Sequence, residues 1–262
     1  MVLPNVLVVG AQKCGTTAVY ELLRSHPSCA VCRSTKEVDF FVSESPYPFG
    51  TWHMGLEWYE SLFDHASVVA DVSPSYAGWP VFPSVAERAS GVVPGAMIVY
   101  LVRDPIDRMI SHWRHFTMRG YETRTVDDAL TERSPQNLYL AMSRYGSQLD
   151  RWIDRFPSDR VLVLHQEEVR QGARRLWDTL GLPAIPALAQ PANASNDLRR
   201  PTALARRLPE RVHRALPLRL RSTRIPAPVL HDDTLRCLRE LLASDIVHFQ
   251  RVSGVQLVDW IE

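Results

Sequence analysis

Lysine is rare in this chain, and both copies sit where a mobile charge could do chemistry. Of thirty basic residues only Lys13 and Lys36 are lysine, and the rest are arginine. A compact ammonium can approach a transferring group where a planar guanidinium does not fit. Lys13 lies within "GAQKCGTT" (10–17), between Gly10 and Gly15, with the hydroxyls of Thr16 and Thr17 directly after. Lys36 precedes Glu37 in "STKEVDFF" (34–41), which makes a cation the neighbour of a candidate general base. A third group is Arg103 with Ser111 in "IVYLVRDPIDRMISHW" (98–113). There the guanidinium offers a planar fork to phosphate and the serine a donor from a helix. Each segment also has a plainer reading: a strand-to-helix turn, a strand entry with solvated charges, and an Asp-Pro helix cap. In that last reading Arg108 is only a surface partner of Asp104.

The elements around these residues read as βα units of a parallel sheet, short apolar runs alternating with amphipathic stretches. Strands are expected near 5–9, 67–71, 97–102 and 160–164. Helices are expected over "TTAVYELLRSHP", stopping before Pro27, and over 55–63, 104–116, 137–156 and about 233–252. Asp104 is the expected N-cap of the third of these, with Pro105 in its first turn, and the 137–156 helix is expected to break near Gly146. From Pro183 to about Pro228 the composition turns to Pro, Ala, Arg and Leu, which reads as a loop and helical tail rather than a second core.

A strand, two glycines and a helix start direct backbone N–H groups at one point, an arrangement that favours an anion. The loop is not of the G-x-x-x-x-G-K-[ST] type. Thr16 stands where that lysine belongs, and Lys13 lies inside the loop instead. Only Asp71 and Asp104 approximate the acidic strand end that would accompany a magnesium nucleotide, so ATP hydrolysis is disfavoured.

"GAQKCGTTAVYELLRSHP" resembles the phosphosulfate-binding loop of sulfotransferases that use 3′-phosphoadenosine 5′-phosphosulfate (PAPS). It is most similar to the heparan sulfate sulfotransferase branch and its bacterial relatives. The resemblance implies an α/β, P-loop-type three-layer domain, a central parallel sheet flanked by helices. It further implies one domain over 1–262, with a mobile cofactor or substrate loop over 190–230. Lys13, Cys14, Gly15, Thr16 and Thr17 would then cradle the 5′-phosphosulfate, and Arg103 and Ser111 the 3′-phosphate. Arg199 and Arg200 in "NASNDLRRPTAL" fall where the family has its mobile loop, although an exposed arginine pair is the plainer reading. Glu37 would be the general base, with Lys13 and Lys36 as the other catalytic residues. His53, His112, His115 and His165 are alternatives to Glu37, and His53 leads them because it lies in "TWHMGLEWY". Some relatives carry Glu-Lys-[TS]-Pro, and here "ADVSPSYAG" puts Val72 at the lysine position. Lys36 therefore takes that part, or Lys13 acts alone. PAPS is the expected donor and adenosine 3′,5′-bisphosphate the product, with no metal required.

Composition sets the remaining limits. An apolar fraction of 45% and a net charge of +1 are ordinary for a globular chain and argue against a general polyanion binder, nucleic acid included. They also argue against an extended heparin-like acceptor. His53, Trp58, Tyr76 and Trp113 are the expected acceptor contacts, suited to a sugar or an aromatic small molecule. A small-molecule or saccharide hydroxyl, on a glycosylated or nucleoside natural product, is the expected acceptor. Four cysteines make no disulfide framework, and Cys29-x-x-Cys32 lacks a second ligand pair for zinc. With no apolar membrane span and no room for a leader before Asn5, the chain is expected to be a cytoplasmic bacterial enzyme, monomeric or homodimeric. The competing classes are a P-loop kinase or NTPase and a non-catalytic nucleotide-binding protein.

Overall fold

The computed structural model describes residues 2–43, 45, 50–187, 199–202, 222–224, 228–255 and 260. Five parallel strands form its centre: β1 (Val6–Gly10), β2 (Cys29–Val31), β3 (Val68–Val72), β4 (Met97–Val102) and β5 (Val161–His165). Their order is β2-β3-β1-β4-β5. Val6 is level with Ala70 on one side and Met97 on the other. β1 and β3 are buried at every residue, as expected of strands covered on both faces. Four strands fall within a residue of their predicted positions. β2 was not foreseen, because its three half-buried residues carry no alternation to read.

Ten helices are described: α1 (Thr16–Ser25), α2 (Leu56–Glu60), α3 (Val85–Val92), α4 (Pro105–Arg119), α5 (Val126–Thr131), α6 (Leu138–Ala141), α7 (Tyr145–Ile153), α8 (Gln166–Arg170), α9 (Arg174–Leu180) and α10 (Asp232–Ser253). Asp104 caps α4 as expected, accepting from Asp107 N at 2.6 Å. The helix expected over 55–63 is only α2, entered through a 3₁₀ turn at Trp52–Met54. The 137–156 stretch is two helices, separated at residues 142–144 on the N-terminal side of Gly146. An antiparallel pair of strands, β6 (Arg199–Pro201) and β7 (Ser222–Arg224), has β6 beside α4. The rest of the 190–230 loop, apart from Thr202 and 228–230, lies outside the described residues. No helix among the described residues is long and apolar enough to cross a membrane.

The strand order decides where a ligand belongs. From β1 the chain runs outward to β2 and β3 on one side, then to β4 and β5 on the other. The carboxyl end of β1 is therefore a topological switch point, where open α/β sheets bind ligands. α10 closes the far side by packing on α7. Asp245 Oδ2 accepts from Gly146 N at 2.8 Å, and its Oδ1 from Ser147 N at 2.9 Å and Ser147 Oγ at 2.6 Å. Hydrogen bonds to a buried charge are worth more than neutral ones, and the helix N-terminus adds to them. Asp245→Ala should therefore destabilise the protein by about 2–3 kcal/mol, measured as a lower urea midpoint with unchanged slope.

Candidate functional site

The chain leaves β1 at Gly10 and enters α1 at Thr16 by a loop that only glycine permits at two points. Gly10 has φ 152°, and a Cβ there would meet the Ala77 Cβ at 2.7 Å. Gly15 has φ 100°, a left-handed conformation open to glycine. Gly15 is also the N-cap of α1, and it has no side chain to satisfy the first-turn amides. No acidic residue occupies that first turn. By contrast, side chains of Asp104, Thr125, Asn137 and His165 cap α4, α5, α6 and α8. Ala18 N donates to Gly15 O at 2.9 Å, while the N–H groups of Thr16 and Thr17, the first two of α1, have no backbone acceptor within the helix.

The charges around this helix start are mostly positive. Burial, with Arg103 beside it, pushes the Lys13 ammonium down to about 8. Glu37 opposes that shift, and Lys36 and Arg108 reinforce it. Lys36 Nζ lies 3.4 Å from Thr16 Oγ1 and pairs with Glu37 Oε1 at 2.7 Å. The fold thus brings the 34–41 segment onto the loop and places the base candidate beside the cradle. Arg103 follows β4 directly and donates to Asp107 O, while its buried Nε has no partner among the described residues. Ser111 is half-buried on α4, two turns into the helix.

Arg108 corrects the expectation of a surface partner, because it is fully buried. Its Nε donates to Ser143 Oγ at 2.6 Å, and its terminal nitrogens donate to Tyr139 O at 2.6 Å and Gln12 O at 3.3 Å. A guanidinium beneath the loop is therefore held by neutral oxygens, and burial lowers its pKa. His115 was ranked below His53, yet it feels the charges of the site, as does His112. Burial, Lys13 and Arg119 push His115 down to about 4, with Glu37 opposing, which leaves a neutral imidazole. Its position four residues after Ser111, on the same helical face, was the available signal. His53 is exposed on the 3₁₀ turn, His112 is buried against Arg108, and His165 caps α8.

Three expected contact residues face inward instead. Cys14 is fully buried, its Sγ 3.6 Å from Tyr145 OH and its backbone N–H donating to Ala11 O. Tyr76 is buried with its hydroxyl on Asp71. Trp113 is buried, its Nε1 donating to Arg124 O at 3.3 Å. In each case packing of the apolar body on the core decides the direction. Trp58 is half-buried near Phe40, ring centroids 6.4 Å apart. Arg199 donates to Ser222 Oγ and O across the strand pair, and the Arg200 side chain lies outside the described residues.

A family model described as the sulfotransferase domain matches residues 3–183. The chain is 29% identical over 184 residues to the bifunctional heparan sulfate N-deacetylase/N-sulfotransferase 2 of Bos taurus, covering 64% of this chain and 20% of that one. It is 29% identical over 198 residues to the corresponding enzyme 3 of Homo sapiens, covering 67% and 21%. The chain thus spans about a fifth of the length of these curated relatives. A solved sulfotransferase from Alicyclobacillus acidocaldarius shares the fold, with a TM-score of 0.74 over 100% of both chains at 22% identity. The chain belongs to the sulfotransferase domain family, whose members are transferase enzymes.

An anion held against Lys13 requires its proton. Adenosine 3′,5′-bisphosphate keeps a constant charge above neutrality, since a phosphate's second pKa is about 6. Its affinity by calorimetry should fall as pH rises through about 8, by up to about tenfold per pH unit. Lys13→Ala should weaken binding at neutral pH and remove that fall.

Proposed function

We propose that residues 1–262 act as one sulfotransferase domain, moving a sulfuryl group from PAPS to a hydroxyl of a small-molecule or carbohydrate acceptor. The observation that carries this reading is the position of Lys36, whose ammonium links the Thr16 hydroxyl to the Glu37 carboxylate. A base beside an anion cradle is what transfer to a hydroxyl requires, and a plain binding loop has no use for it.

The donors fit a ligand with two phosphate-like ends. Lys13, Thr16, Thr17 and the uncapped start of α1 suit the 5′ end. Arg103, whose buried Nε has no partner among the described residues, and Ser111 suit a 3′-phosphate. Bound there, the donor supplies an activated sulfur–oxygen bond. Glu37 takes the hydroxyl proton as the acceptor oxygen bonds to sulfur and the bond to the 5′-phosphate breaks. Lys13 and the α1 amides stabilise the charge that appears on the leaving oxygen, and Lys36 steadies Glu37 and the sulfonate. Arg108 keeps the loop in place through the Gln12 carbonyl. A sulfonate carries one charge rather than the two of a terminal phosphate, so this cation set suffices without a bridging metal. A glycosylated or nucleoside natural product is the acceptor class that matches the half-buried aromatic ring of Trp58 and the exposed His53.

Glu37→Gln should lower kcat with labelled PAPS by about 10²–10⁴-fold while adenosine 3′,5′-bisphosphate binds almost as in the parent. Full turnover in that variant would move the base role to His115. Tight binding of ADP with Mg²⁺, and no response to the bisphosphate, would overturn the sulfotransferase reading in favour of a kinase or NTPase.

A further inference from the structure

Residues 36–42 carry Lys36 and Glu37 but belong to no helix or strand, so side chains from elsewhere must fix their position. Ser73 Oγ accepts from both Val38 N and Asp39 N, each at 3.0 Å, and donates to Asp71 Oδ1 at 2.6 Å. Tyr76 OH accepts from Phe41 N at 3.4 Å and donates to Asp71 Oδ2 at 2.6 Å. Tyr59 OH donates to the same Oδ2 at 2.8 Å, and its ring stacks on Phe40 with centroids 4.0 Å apart. All four residues are buried. Three hydroxyls therefore point at one carboxylate, and each of these residues grips the 38–41 segment.

The chemistry of the hydroxyl explains the arrangement. A hydroxyl has one proton and two lone pairs. A carboxylate that takes the proton turns the lone pairs of Ser73 and Tyr76 toward the amides of the segment. Without that acceptor the hydroxyls rotate, and the amides lose a fixed partner in a site where an unmade bond is costly. Asp71 approximated the acidic strand end of a magnesium nucleotide site in the sequence. Its oxygens are instead committed to protein donors.

We propose that Asp71 is a positioning residue for the reaction, acting through Ser73 and Tyr76 to hold Lys36 and Glu37 against the β1–α1 loop. This rests on the reading of Glu37 as the base. The role is distinct from contact with either substrate, because Asp71 is fully buried behind the segment it orders. A displacement of about 1 Å at a reacting group is enough to cost two orders of magnitude in rate.

The test compares Ser73→Ala and Tyr76→Phe with the parent in three readouts: kcat with labelled PAPS, calorimetric affinity for adenosine 3′,5′-bisphosphate, and amide exchange of peptides covering 36–42. Tyr76→Phe removes one oxygen and keeps the ring, so it carries the test if Ser73→Ala does not fold. The expected result is kcat lowered by about 10–100-fold, bisphosphate affinity within about twofold, and faster exchange over 36–42. Parent-like turnover overturns the proposal. So does lost turnover with unchanged exchange, or with bisphosphate affinity falling in step. Glu37→Gln with full turnover would overturn the base assignment alone, because exchange over 36–42 is read without substrate.

Discussion

Positive charge gathered at the end of β1 without an equal negative charge is the constraint around which this structure is arranged. Burial penalises the charged forms of Lys13 and Arg108, and Arg103 adds to the cost of both. Carboxylates placed beside them would relieve that cost and also fill the site. The chain uses neutral oxygens instead: Gln12 O, Tyr139 O and Ser143 Oγ surround Arg108. Neutral acceptors satisfy the guanidinium protons while leaving the charge to act at a distance. Glu37 is the acid in the cluster, and Lys36 holds it.

Two other acids nearby are held by donors of their own. Asp104 spends its carboxylate on the first turn of α4, and Asp71 on three hydroxyls. Val72, at the position where some relatives place a lysine, is interior strand and fully packed. An ammonium there would have to leave the core, whereas Lys36 reaches Thr16 from a segment already on the surface of the loop.

Local patterns were legible in the sequence, and long-range pairings were not. The loop from Gly10 to Thr17 could be read because its strand, glycines and helix are contiguous, and Asp104–Pro105 marked the start of α4 for the same reason. The break in 137–156 was legible at Gly146, but it falls at Met142–Arg144, because apolar spacing continues there while the backbone turns. Lys36 with Thr16, or Asp71 with Tyr59, joins a loop or a strand to a helix elsewhere in the chain, which no window of residues encodes. Aromatic residues were the least readable. Tyr76 and Trp113 have polar tips that could line a cleft, yet the area of their rings sends them inward. Arg108 misled for the opposite reason, as its charge suggested a surface that its neutral partners make unnecessary.

The strand order also has a kinetic side. β1 does not pair with β2, the next strand in sequence: β3 lies between them, and its other partner is β4. Val6 must wait for Ala70 and Met97, so contacts far apart along the chain have to close before the loop is framed. Parallel pairings of this kind form late, because loop entropy is lost before contact is gained. A growing or half-folded chain would hold the residues of the cradle without the cradle itself, and would not sequester anionic nucleotides. Any anion the loop binds can do so only once the sheet is complete, and binding then draws the folding equilibrium toward the finished state.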